Sequence, residues 1–386
     1  MVASILILLS AIGVIGANSL LLSPLVTAVG SDLQVSAAQV MQAASAYGLG
    51  VAAAALLLAP LGDRFGAGRL LRAALVVLAI GLVASALAPN IFALIAAQTL
   101  CGLAAGAALP SIYTLAVTIA PQGRESQTLG AVLTGWTVSL VMGVSLGAWI
   151  TDLLGWRAVY AGLSIGTALL WLLSSRLRQL GASGNHATSP LTALKVTGIT
   201  RGLLATVLLM LSFYVTYFFI GAHVTVELGL STTKAGLVPL FYGIGFGLAV
   251  MADPLLDRLG LARSTAPVFF VIALTYAGMV TVAGEFHWFL TIAVVWGVFQ
   301  HLGLNLVVAR LTALDPSQRG AIMGLFSTVT YLCIFAVPVL GGLAYASWGL
   351  AGCLTISAAL CLIEAIEALC LRRIKSMAPA APDVPA

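Results

Sequence analysis

The chain has 386 residues, of which 61% are hydrophobic and only 8% charged. Soluble globular chains carry roughly 25% charged residues, so this composition, with a mean hydropathy of +1.11, excludes a soluble domain and assigns an integral membrane protein. Five cysteines, all within apolar runs, suggest neither a disulfide framework nor a metal spacing.

Apolar runs of about 20 residues, each long enough for a bilayer core, recur twelve times. They are predicted near 3–27, 38–60, 69–88, 91–118, 126–150, 157–175, 202–226, 235–256, 265–283, 287–309, 320–345 and 349–371. Their continuity excludes barrel strands, which alternate in short segments. Met1-Val2-Ala3-Ser4 lacks a basic n-region, so the first run reads as a span and not as a signal peptide. With the N-terminus inside, only Arg157 and Lys234 of the 17 Lys and Arg fall outside. This positive-inside bias places both termini in the cytoplasm. It also accounts for the net charge of +5 without a nucleic-acid partner. Residues 1–176 form one group of six spans and 202–373 a second. Polar residues 177–201, among them Gly181, Asn185 and His186, join the groups, and the Pro- and Ala-rich tail 374–386 reads as disordered.

Between the second and third runs lies Leu61-Gly62-Asp63-Arg64-Phe65-Gly66-Ala67-Gly68-Arg69-Leu70-Leu71-Arg72, with four charges in ten residues. Gly66 and Gly68 are expected to supply the reversal, and Asp63 to pair with Arg64, with Arg69 or with a helix N-terminus. The stretch has an echo 194 residues on, Asp257-Arg258-Leu259-Gly260. Pro121 to Arg124 is echoed by Pro316 to Arg319, Gly102 by Gly297, Gly147 by Gly342 and Gly155 by Gly349, all at 194 or 195. Matches in one order at one spacing indicate two parallel repeats. The loop resembles the one between helices 2 and 3 of the major facilitator superfamily, roughly G-x-x-x-D-R-x-G-R-R. It departs from that pattern at Ala59, where the first Gly is usual, and at Ala67-Gly68 before a single Arg69. The resemblance implies an all-α integral membrane protein of twelve transmembrane helices in two six-helix pseudo-repeats. It also implies that Asp63, Arg64, Gly66, Arg69, Asp257 and Arg258 gate the cytoplasmic end, with Asp63 holding the inner ends of spans 2 and 11 together in the outward-open state.

The fourth span, Ile95 to Gly106, is similar to the family's fourth-helix motif, with Gln98 where proton antiporters usually carry Arg. An amide hydrogen-bonds but holds no fixed charge. In the fifth span Gly135, Gly143 and Gly147 share a flat helix face suited to close packing, and Gly155-Trp156-Arg157 follows. This resembles the glycine-rich motif of the drug:proton antiporter branch, the sugar-efflux and drug-efflux permeases, although Val144 stands where a proline is usual. Generic small-residue packing is the other reading.

Ionisable residues inside a membrane are functional candidates by default. Glu227 falls at the outer end of span 7, Asp253 near the inner end of span 8, and Glu364 and Glu367 near the inner end of span 12. His301 is the one titratable residue predicted near a midplane, with Asn305 one turn away on the same face. It is expected to couple protons, unless it is a neutral histidine bonded between helices. Asn18, Gln42, Tyr47, Gln98, Trp136, Ser139, Tyr214, Tyr217, Tyr242, Gln300, Asn305 and Tyr331 fall on spans that line the family's cavity, and are candidates for substrate binding or, one by one, plain helix packing. Such a cavity is apolar, uncharged and Tyr-rich, which suits a neutral or weakly polar amphiphile. No nucleotide loop, catalytic triad or haem motif is present, so neither an enzyme nor a cofactor is expected, and an ion gradient remains as the energy source. The resemblance implies a monomeric secondary transporter in the cell inner membrane, exporting drug-like amphiphiles or sugars in exchange for protons. Its partners are the substrate, protons and the lipid bilayer. An uncoupled facilitator and a non-transporting sensor or scaffold of the same fold stay open.

Overall fold

The structure, a computed structural model, describes residues 2–58, 64–122, 124–180 and 190–377. Among them the helices long and apolar enough to cross a membrane are α1 (Val2–Leu20), α2 (Ala37–Leu57), α3 (Ala67–Ala86), α4 (Ile91–Thr118), α5 (Gln127–Leu154), α6 (Trp156–Leu177), α7 (Ile199–Glu227), α8 (Thr232–Leu256), α9 (Leu261–Thr281), α10 (Phe286–Thr312) and the run Arg319–Leu371. That last run breaks at Gly349, where φ is 59° and ψ −157°, and so supplies two crossings, α11 (319–348) and α12 (350–371). The twelve predicted spans are present within a few residues. The main difference is at the start, where a separate helix Leu22–Leu33 prolongs α1 past the expected end at 27. At the other end the helical backbone runs to Met377, past the predicted start of the tail.

Turn chemistry explains why the runs stop where they do. Ser36 and Gln39 form a capping box at the start of α2, Asn90 caps α4 through Ala93 N, and Ser231 caps α8 through Lys234 N; each satisfies an otherwise unpaired helix N–H. Four reversals use glycine in the positive-φ region that side chains rarely adopt. Gly66 (89°) and Gly260 (77°) lead into α3 and α9, while Gly155 (82°) and Gly349 (59°) separate α5 from α6 and α11 from α12. The repeat seen in the sequence is thus a repeat of turn geometry. Gly68 has a different job from the one expected. It lies inside α3, donates its N–H to the Leu180 carbonyl at 3.2 Å, and leaves room for the Leu177 carbonyl, which a Cβ would strike.

Close helix packing also repeats. A Cβ on Gly102 in α4 would strike the Tyr47 carbonyl of α2, and one on Gly297 in α10 would strike the Tyr242 carbonyl of α8. Small residues allow such backbone approach, and in a membrane that dispersion contact is a main source of cohesion. Bonded hydroxyls tie helices inside the second half: Thr216 to Ser357 at 2.9 Å and Ser357 to the Ser212 carbonyl at 2.6 Å. At the end holding the termini, Arg310 of α10 binds Glu364 at 3.1 Å and Glu367 at 3.7 Å on α12.

The two halves meet at mid-depth and at the end opposite the termini. Ser45 of α2 donates to the Phe335 carbonyl of α11 at 2.8 Å. Ser23 donates to the Tyr217 carbonyl at 2.5 Å, and Thr27 meets Thr225 at 2.5 Å. Asp152 of α5 accepts from the Thr233 N–H at 2.7 Å and its hydroxyl at 2.6 Å. These hydrogen bonds hold the bundle closed at the end away from its termini.

Candidate functional site

The centre of the molecule is aromatic. Phe213 of α7 stacks on Tyr217 at 5.2 Å between ring centroids and touches Tyr214 (5.0 Å), Tyr242 of α8 (5.3 Å) and Trp296 of α10 (5.4 Å). Trp296 is held from behind, its indole N–H donating to the Tyr276 hydroxyl of α9 at 3.0 Å. From the first half Tyr47 of α2 meets Tyr331 of α11 edge-on at 6.4 Å. Tyr214 is within electrostatic reach of Tyr47, Tyr242 and Tyr331, and Tyr331 of Tyr113. Two hydroxyls are committed to backbone: Tyr47 donates to the Ile15 carbonyl at 3.2 Å and Tyr217 to the Leu20 carbonyl at 3.3 Å. Rings held this way offer faces for stacking and polar rims for orientation.

Of the residues expected to bind substrate, this geometry brings Tyr47, Tyr214, Tyr217, Tyr242 and Tyr331 together. Trp136 stands beside Tyr113 of α4. Phe213, Trp296 and Tyr113 were missing from the sequence expectation, which singled out other tyrosines, Trp136 and polar residues at mid-depth; aromatic side chains on the same helices were the available signal. The others are placed differently. Asn18 donates to Gln98 at 3.1 Å and Gln98 donates to Ser85 of α3 at 3.0 Å, so Gln98 takes part in a buried link between α1, α3 and α4. Ser139 bonds back to the Trp136 carbonyl at 2.7 Å and faces Gly16. Gln42 is exposed near the start of α2. Gln300 is buried and donates to the Leu209 carbonyl at 3.4 Å, with its own oxygen unpaired.

His301 does not stand alone. Its Nε2 lies 3.1 Å and 3.3 Å from the two carboxylate oxygens of Asp253, and Asn305 donates to the same Asp253 at 2.9 Å. Asn305 therefore orients the carboxylate and not the imidazole. A 3-10 turn at Ala249–Ala252 in α8 precedes Asp253 and delivers it to α10, a pairing that linear depth on two separate helices did not reveal. The Phe246 ring meets the imidazole edge-on, with 4.8 Å between centroids. His301 Nδ1 is buried without a partner, which leaves one ring nitrogen open to a proton or to a ligand donor.

The glycine face of α5 lies on α1. A Cβ on Gly143 would stand 2.7 Å from the Ala17 Cβ, and one on Gly147 would stand 2.5 Å from Leu21 Cδ1 and 3.1 Å from Val159 Cγ1. The backbone between Ser139 and Val144 takes a π-helical form. The Gly155-Trp156-Arg157 sequence has a visible purpose. Gly155 makes the turn, after which Trp156 Nε1 at 3.2 Å and the Arg157 guanidinium both grip Asp32, while Arg157 also binds the Ala88 carbonyl at 2.9 Å. Of the gating set, Asp63 lies outside the described residues and Asp257 lies on the helical turn Asp253–Leu259. Arg64 rests its guanidinium over Phe65 at 5.3 Å, Arg69 and Arg258 are exposed, and Gly66 makes the turn into α3. Nearby, Arg72 is committed to the Trp171 carbonyl at 2.7 Å.

Comparison with known proteins is consistent in kind. The chain is 31% identical over 361 residues, 90% of its length and 87% of the relative's, to an uncharacterized MFS-type transporter, YwfA, of Bacillus subtilis (strain 168). Its fold matches the crystal structure of a D-xylose-proton symporter with a TM-score of 0.77, covering 95% of this chain and 96% of that one at 15% identity. The family model of the Major Facilitator Superfamily matches residues 7–336 and 203–384, and the chain belongs to that superfamily of membrane transporters.

Proposed function

We propose that this transporter exports small, weakly polar organic molecules, drug-like amphiphiles or sugars, across the cell inner membrane by alternating access in exchange for protons. The positive-inside count supports a cytoplasmic location of both termini, which puts the closed end on the outer side. The aromatic centre supports a substrate held by stacking and a few hydroxyl contacts. The Asp253–His301–Asn305 group carries the proton part of the reading, because it combines a titratable imidazole, a fixed carboxylate and an unpartnered ring nitrogen within the bundle. A proton taken on His301 gives an imidazolium whose bond to Asp253 is charge-assisted. A charge moving down a 100 mV potential releases about 2.3 kcal/mol, nearly two decades of concentration ratio.

The test is His301→Gln in proteoliposomes, with substrate counterflow and pH-gradient-driven flux measured side by side. Gln keeps a hydrogen bond to Asp253 but cannot titrate, so counterflow should persist while driven flux and its pH dependence are lost. Survival of both would make the protein an uncoupled facilitator. The sign of the driven flux distinguishes export from uptake.

A further inference from the structure

A second histidine occupies the opposite end of the second half. His223 begins a π-helical turn, His223–Glu227, that ends α7, and its side chain is only 6% exposed. Its Nε2 lies 2.8 Å from the Ala283 carbonyl in the turn between α9 and α10. Its Nδ1 lies 2.6 Å from Glu227 Oε2. A carbonyl only accepts, so Nε2 must carry a hydrogen and donate it. The proton between Nδ1 and Glu227 is then additional to a neutral imidazole and an ionised carboxylate. It belongs either to an imidazolium facing a carboxylate or to a carboxylic acid facing a neutral ring, and in both forms the pair holds one proton beyond a neutral imidazole and an ionised carboxylate.

This proton sits beside the contact that closes the far end of the bundle. Thr225, between the two partners in sequence, meets Thr27 of the first half, and Gly221, half a turn before His223, packs against the Ser23 carbonyl. The groups facing the pair are known. Tyr345 and Cys353 lie by Glu227, the Phe289 ring lies 6.2 Å from the imidazole, Lys234 of α8 is set over Phe286 at 5.9 Å, and Glu285 and His287 are exposed two and four residues past Ala283. Among these, no cation touches Glu227 to replace the proton.

We infer that His223 and Glu227 form a proton-binding latch that couples protonation from the far side to closure of that end. Opening separates Thr225 from Thr27 and frees the α7 turn; the pair then relaxes, and its proton leaves to water. Where the separated histidine is neutral, the closed end thus holds one proton more than the open end, so there the closed-to-open ratio falls by at most about tenfold per pH unit as pH rises. This inference rests on the His223–Glu227 geometry alone and not on the identity of a substrate.

The test uses double electron–electron resonance between spin labels at Ala38→Cys and Thr281→Cys, exposed positions at that end of opposite halves. The background replaces Cys370, the exposed cysteine among five, by Ser. With wild-type His223 and Glu227 the short distance should dominate at pH 5.5 and give way to a longer one by pH 8.5. Glu227→Gln supplies a neutral amide donor to Nδ1 without the extra proton, so its short distance should persist at both pH values. The same pair of measurements in a His301→Gln background removes the coupling group's own titration, so a pH response lost only on adding Glu227→Gln belongs to the latch. A parent distance that does not move with pH, or a Glu227→Gln distance that still does, overturns the proposal.

Discussion

Replacing Gly143 by Ala probes the α1–α5 contact with the smallest possible change. The added Cβ would stand 2.7 Å from the Cβ of Ala17, whereas carbon atoms rest at about 3.5–4.0 Å. Ala17 has no side-chain torsion with which to yield, so the two helices must part by about 1 Å or bend. Overpacking of this kind costs about 1–3 kcal/mol. Helix propensity works in the opposite sense, since Gly to Ala in a helix gains about 1 kcal/mol. Gly166→Ala in α6 is the matching control: it has the same propensity gain, and a Cβ there meets nothing within 4 Å. The difference between the two variants therefore isolates the packing cost. Unfolding by SDS titration in mixed micelles should show Gly143→Ala less stable than Gly166→Ala by about 1–3 kcal/mol, with efflux reduced only in the former. Gly147→Ala should fall between them, because the atom it meets first is the rotatable tip of Leu21. Equal stability of the Gly143 and Gly166 variants would refute the claim that these glycines set the helix separation.

Asp63→Asn should abolish transport while the protein still reaches the membrane and unfolds at the parent's temperature; parent-like transport by that variant would remove Asp63 from the proposed gate. The Arg157 guanidinium and the Trp156 indole hold the Asp32 carboxyl below the usual carboxylate range. A depressed folded-state value contributes stability above the ordinary carboxylate pKa, and that stability is lost as pH falls through the depressed value. Thermal unfolding below pH 4 should accordingly differ less between the parent and Arg157→Ala than it does at pH 7, and an unchanged difference would refute the assignment.

The architecture was legible in the sequence because membrane spans are written in composition. Twelve apolar runs and a near-constant 194–195 spacing needed no knowledge of contacts, and the paired positive-φ glycines at 66, 260, 155 and 349 show that the repeat preserves backbone geometry. The α5 glycines could be read in part, since small residues four apart on a helix make a packing face whatever meets it. Side-chain pairing across helices was less accessible. Asp253 and His301 lie 48 residues apart, and they meet because a 3-10 turn in α8 re-aims the acid. Gln98 and Asn18, taken singly as cavity groups, satisfy one another across 80 residues, as buried amides in an apolar bundle must. Depth along a helix can be counted from a sequence, whereas direction around it depends on which neighbour is there. That is why the misplaced residues here are polar ones. In a bilayer an apolar side chain is at home against lipid or protein alike, but a buried amide or carboxylate is fixed by the partner that satisfies it, and the partner is a property of the fold.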